Sequence, residues 1–119
     1  MRDFRKYDVW KLSHEFVLEI YTVTKDFPKH EIYGITNQIR RAAASVPTNI
    51  SEGCGRSSDA EFSRFIHIAS GSATEVEYLI QLAYDLRYLE EKFYLDFSKK
   101  INLIKMKLYH LNKSLQTKS

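Results

Sequence analysis

Gln38-Ile39-Arg40-Arg41-Ala42-Ala43-Ala44-Ser45-Val46-Pro47-Thr48-Asn49-Ile50-Ser51-Glu52-Gly53 is a helical pattern with a proline inside it and a glycine closing it. Extended back to Ile35, it places Ile35, Ile39, Ala42, Ala43, Val46, Asn49, Ile50 and Gly53 along one side, at the three-and-four spacing of a single helix face. Pro47 has no N–H for the carbonyl of Ala43, and its ring crowds that carbonyl, which kinks or ends a helix. The apolar stripe keeps its phase from Ile35 through Ile50, so the stretch predicts one Pro-kinked helix, with Ser45 and Thr48 placed to re-bond the freed groups. Asn49 falls on the inward stripe, where its amide needs partners. The glutamates of the next helix are the expected ones.

Outward from this stretch, the other helices follow by period. A first helix is expected from about Tyr7 to Asp26, with Val9, Ser13, Phe16, Val17, Ile20, Val23 and Thr24 inward and Trp10, His14 and Tyr21 on an adjacent stripe. Phe27-Pro28 stops it, because a residue before proline avoids the helical region. The second helix should run from about Glu31 to Cys54 and end at Gly53-Cys54-Gly55. Ser58-Asp59-Ala60-Glu61 fits a capping box and opens a third helix, apolar from Phe62 through Leu86 and reaching about Tyr88. Its small residues Ser70-Gly71-Ser72 suit a close crossing against Ala42–Ala44. The fourth helix carries Phe93, Phe97, Ile101, Ile104, Leu108, Leu111 and Leu115 as its seam, with Gln116 to Ser119 expected to fray. The fold class is all-α: one antiparallel, up-down-up-down four-helix bundle domain over residues 1–119.

Composition narrows the function classes. A lone Cys54 excludes an internal disulfide, and no apolar run reaches the roughly 18 residues of a membrane span, so a cytoplasmic protein away from the membrane is expected. The net charge is +3, unevenly spread: 11 Lys/Arg face 14 Asp/Glu up to Glu91, whereas 7 Lys face Asp96 alone from Lys92 on. Such an asymmetry points toward a polyanionic partner, although a solvated helix face is the commoner source of it. Lys100, Lys107 and Lys118 flank the fourth helix's seam, and Lys92, Lys99, Lys105 and Lys113 spread over its outer arc beside Leu95, Leu103 and Met106. Apolar residues on that outer arc indicate subunit contact.

No catalytic constellation is legible. His14, His30, His67 and His110 share no i,i+3 or i,i+4 spacing, so no helix offers a two-ligand metal face, and no cofactor is implied. Cys54 as a nucleophile needs a base, and His67 is the nearest by sequence. Gly53-Cys54-Gly55 lacks the lysine and preceding strand of a phosphate-cradling loop. Glu52 and Glu75 read as structural partners of Arg40, Arg41 and Asn49 inside the bundle, ahead of a shared acid-base site.

Gln38-Ile39-Arg40-Arg41-Ala42-Ala43, Ser45-Val46-Pro47, Asn49-Ile50-Ser51-Glu52-Gly53 and Arg56 resemble the motif of the bacterial four-helix bundle proteins encoded within intervening sequences of 23S ribosomal RNA genes. Glu61-Phe62-Ser63-Arg64-Phe65, Ile68-Ala69-Ser70-Gly71-Ser72 and Glu75-Val76-Glu77 continue the resemblance, which spans about Phe4 to Leu115; Ser51 stands where alanine is more usual. The resemblance implies a five-fold ring without known catalysis. It also implies kinship with accessory proteins of diversity-generating retroelements, pentamers that bind nucleic acid and a reverse transcriptase. Arg40, Arg41, Pro47, Asn49, Glu52, Gly53 and Glu75 are then architecture.

The expected function is a non-enzymatic homo-oligomer that binds RNA or DNA backbone through Arg56, Lys99, Lys100, Lys105, Lys107 and Lys113, without base readout. The alternative is a scaffold or accessory subunit that docks a protein partner on its apolar arcs and has no nucleic-acid role.

Overall fold

The structure, a computed structural model, describes residues 2–117. After a 3-10 turn at Phe4–Lys6, helix α1 spans Asp8–Thr24, α2 Ile35–Cys54, α3 Asp59–Asp85 and α4 Glu91–Thr117. They pack as an up-down-up-down bundle measuring 47 × 23 × 20 Å, α1 against α2, α2 against α3 and α3 against α4. Helices α1 and α4, which no loop joins, close the bundle with the loosest lateral contact.

The boundaries follow local chemistry. Tyr7 is the extended N-cap of α1 rather than its first residue. Helix α2 starts at Ile35, four residues later than expected, because Lys29–Glu31 forms a separate 3-10 turn and Gly34 is an N-cap outside helical geometry. Ser58 caps α3 as its spacing predicts: the Ser58 hydroxyl accepts from the Glu61 N–H at 3.1 Å. Helix α3 stops at Asp85, and Arg87 takes a positive φ of 64° at the turn, which leaves Leu86 exposed rather than on the core side. Helix α4 includes Gln116 and Thr117, and the rest of the tail expected to fray, Lys118 and Ser119, lies outside the described residues.

The core is the sum of the four stripes. Ile20, Ile50, Phe62, Ile66, Val76 and Leu108 are wholly buried, and all the stripe residues of α2 except the half-buried Asn49 are inside. Pro47 sits in one unbroken helix. The re-bonding around it differs from expectation. Asn49 Nδ2 donates to the Ser45 carbonyl at 2.8 Å and to Ser45 Oγ at 3.0 Å, so its amide is satisfied within its own helix and not by glutamates of α3. The Ser51 hydroxyl donates to the Pro47 carbonyl at 2.8 Å and accepts the Trp10 indole N–H at 3.0 Å, which ties α1 to the proline turn.

Two glycines mark opposite situations. A methyl group on Gly53 would come within 2.7 Å of Phe62 Cδ1 and 2.9 Å of Phe65 Cβ, so the absence of a side chain is what lets α3 cross here. Gly71 faces open space, with no atom within 4 Å of such a methyl. The close approach of α2 and α3 at mid-bundle is therefore made by Ser45 and Ser72, whose hydroxyls lie 2.8 Å apart, and not by Gly71.

Candidate nucleic-acid interface

Antiparallel packing brings the start of α3, the end of α2, the end of α4 and the start of α1 to one end of the bundle. Arg56, just beyond α2, lies over the Phe65 ring at 4.6 Å, and Arg64 lies over the same ring at 5.6 Å. Both arginines are exposed. The buried ring of Phe65 thus has two guanidiniums within reach of it, an arrangement favoured by attraction between a cation and a ring face. The Ser63 hydroxyl bonds the Asn112 side chain, which sets α4 alongside the first turns of α3; the next residue, Lys113, is exposed at this end of the bundle. Glu52 and Glu61 stand one turn away, and among the described residues neither forms an ion pair with these arginines. Arg2 is committed elsewhere, to Asp59 and to the Arg56 carbonyl.

The lysines of α4 divide into two groups. Lys100 Nζ reaches Glu19 of α1 at 2.7 Å and Asp96 at 2.9 Å; Lys105 reaches Glu77 of α3 at 2.7 Å; Lys107 reaches Asp8 of α1 at 2.7 Å. The hydrogen bonds that the Lys100 ammonium donates to Glu19 and then to Asp96 hold it above the usual lysine range. These three lysines fasten α4 to its neighbours. Lys99 and Lys113 are exposed and join no ion pair among the described residues. Of the six cations singled out by sequence, the structure gathers Arg56 and Lys113 at one end. The sequence reading missed Arg64, whose only prior signal was its place three residues after Glu61 in the Glu61–Phe65 motif.

The motif residues of α2 are arranged differently from expectation. Arg40 Nε donates to Thr24 Oγ1 at 2.8 Å and its Nη2 donates to the Tyr21 carbonyl at 3.3 Å, with the guanidinium 4.7 Å from the Tyr21 ring. It secures the end of α1 instead of answering Glu52 or Glu75. Arg41 is exposed in a polar groove between α2 and α3, with Asn37, Gln38 and Glu75. Gln38 Nε2 donates to Glu75 at 3.4 Å. Glu52, also exposed, is fourteen residues from Gln38 on the same helix, about 21 Å at helical rise, so the two carboxylates share no site.

Cys54 is buried, and burial pushes its thiol up, against an opposing pull from Arg2 and with a smaller push from Asp3. His67 is exposed on α3, and His14 stacks on Trp10 at 5.0 Å, so neither histidine activates that thiol. Among the described residues no group of three His, Cys, Asp or Glu side chains stands together as a metal site requires, and no helix is long and apolar enough to cross a membrane.

The geometry defines a class: an antiparallel four-helix bundle whose exposed chemistry is a basic corner and apolar outer arcs. The profile of the family described as 23S rRNA-intervening sequence protein matches residues 5–110, and the chain belongs to that family. It is similar to the crystal structure of a protein of unknown function from the S23 ribosomal protein family of Bacteroides thetaiotaomicron, with 26% identity, a TM-score of 0.82, and 88% of this chain and 95% of that one covered. No curated protein matches the chain. Neither the family description nor that neighbour carries a known catalytic activity.

Proposed function

We propose that this chain is a non-enzymatic, self-associating bundle, five-fold by the family resemblance, that binds the phosphate backbone of RNA at the corner formed by Arg56, Arg64 and Lys113. The observation that carries the reading is the pair of exposed guanidiniums over Phe65, which have no carboxylate partner among the described residues. Guanidiniums present planar forks that match phosphate oxygens, and a ring face that holds them in place reduces the ordering cost of contact. Nothing at the corner reads bases, so affinity is electrostatic and not sequence-specific. Lys99 adds a further free cation on α4, whereas Lys100, Lys105 and Lys107 act through the fold.

Self-association is supported by apolar side chains that the single bundle leaves outside. Leu95, Met106 and Tyr109 on α4 are 58%, 51% and 60% exposed. Gly71 shares an exposed face of α3 with Ile68 and Tyr78, at helical spacings of three and seven. Repetition of the corner around a ring converts weak single contacts into avidity.

The test is filter binding of structured RNA at low salt to the wild-type protein and to Arg56→Glu/Arg64→Glu/Lys113→Glu, with the assembly mass measured in parallel. The expected result is at least a tenfold loss of affinity at unchanged mass. Equal affinity for the triple variant overturns the site, and an intact assembly that binds no RNA favours docking of a protein partner on the apolar arcs.

A further inference from the structure

A second surface differs in chemistry from the basic corner. Because α1 and α4 make the loosest lateral contact, a trough runs between them. Its wider part is a cleft of about 340 Å³ floored by Val23, Phe93 and Phe97, and it continues past Lys100 toward Leu12 and Ile104. Leu18, 55% exposed, walls the wider cleft from α1, and Leu103 walls the narrower part from α4. The rim is acidic: Glu15, Glu19, Asp26 and Asp96 line it against the single ammonium of Lys100. Lys100 already serves Glu19 and Asp96, while Glu15 and Asp26 join no ion pair among the described residues. This is an acid-rimmed patch on the helix pair that includes the most basic segment of the chain.

We propose that this trough is a docking site for a short amphipathic basic helix of a partner protein. The charge balance selects the occupant. Four carboxylates to one ammonium repel a polyanion and favour Lys or Arg side chains that flank apolar anchors. The length agrees, since Leu12 to Thr24 is twelve helical steps of α1, about 18 Å, with Asp26 just beyond its end, which matches about three turns of a docked helix. Such a helix lays residues at i, i+3 or i+4, and i+7 along the trough, against Leu18 in the wider cleft and Leu103 in the narrower part, while its cations meet Glu15 and Asp26. The inference is independent of the RNA-binding corner, which lies at the end of the bundle where α1 begins.

The probe is a labelled fifteen-residue peptide with leucines at helical spacing and lysines elsewhere, titrated by fluorescence anisotropy into the full chain in its native assembly. A scrambled peptide and one with glutamate in place of lysine are the controls. The basic helical peptide is expected to bind at least tenfold more tightly than either control, and Glu15→Lys/Asp26→Lys, two exposed positions whose change leaves the circular dichroism intact, to weaken it at least tenfold. Amide shifts on binding should centre on α1 and α4. Equal binding of the three peptides, or binding indifferent to Glu15→Lys/Asp26→Lys, overturns the proposal. A native assembly that binds no peptide, but loses mass when those residues are changed, assigns the trough to a second copy of this chain and likewise overturns it.

Discussion

Gly53→Ala tests the packing on which the basic corner rests. Gly53 has no positive φ, so an alanine suits its backbone and gains roughly 0.5–1 kcal/mol of helix propensity. The new methyl, however, lies 2.7 Å from Phe62 Cδ1 and 2.9 Å from Phe65 Cβ. The Phe62 ring is wholly buried and has little room to turn, and a Cβ cannot move without its backbone. Overpacking costs about 1–3 kcal/mol, and a buried ring and a Cβ that cannot swing away put this case in the upper part of that range, which leaves a net loss of about 1–2 kcal/mol after the propensity gain. Urea unfolding should show a lower midpoint at unchanged slope, and thermal unfolding a fall of roughly 5–10 °C. Because Phe65 is the ring under Arg56 and Arg64, the same variant should also bind RNA less tightly while still folded. A Gly53→Ala protein as stable as the wild type, or more so, would refute the claim that glycine is there for space.

Gly71→Ala should do the reverse to the isolated fold, stabilising it by about 0.5–1 kcal/mol because its methyl meets nothing and alanine favours helix; if its open face is a subunit contact, sedimentation will show weaker assembly at the same time. Ser51→Ala removes the acceptor of the Trp10 indole N–H and should cost about 1–2 kcal/mol in urea unfolding, with a shift in tryptophan fluorescence. Lys105→Met breaks a half-exposed pair with Glu77 and should change stability by no more than about 1 kcal/mol, an effect that vanishes in high salt. Stability should decline in alkali. The unfolded Cys54 thiol ionises from its ordinary 9.0 while the buried one is raised above it, and Lys100, raised above 10.5, loses its charge only at higher pH still. Both contributions are therefore complete below about pH 9 and are lost as the pH climbs through the folded-state values, and Cys54→Ala should flatten the first part of that decline.

The fold was legible because helices announce themselves by period. The stripes of α2, α3 and α4 and the Ser58 cap are local patterns, and they lie where their spacing put them except at Leu86, beyond the end of α3, and at half-buried Asn49. The site was less legible because its partners are set by register between helices. Lys100 meets Glu19 across 81 residues, and no sequence pattern separates that lysine from exposed Lys99 beside it. Arg40 similarly finds Thr24 and Tyr21, not the glutamates that sequence proximity suggested. Asn49 was misread because a proline turn leaves acceptors within its own helix, so an inward amide needed no second helix. Arg64 became visible only when the crossing at Gly53 placed Phe65 beneath both arginines.

RNA affinity measured across a salt series, with assembly mass determined in the same buffers, tests the central claim most directly. Three phosphate contacts per subunit predict that log affinity falls with log salt at a slope of roughly −2 to −3 for each engaged subunit, made shallower by about one when any of Arg56, Arg64 or Lys113 is neutralised. A slope that does not change with these substitutions, or an intact assembly with no RNA binding at low salt, would contradict it.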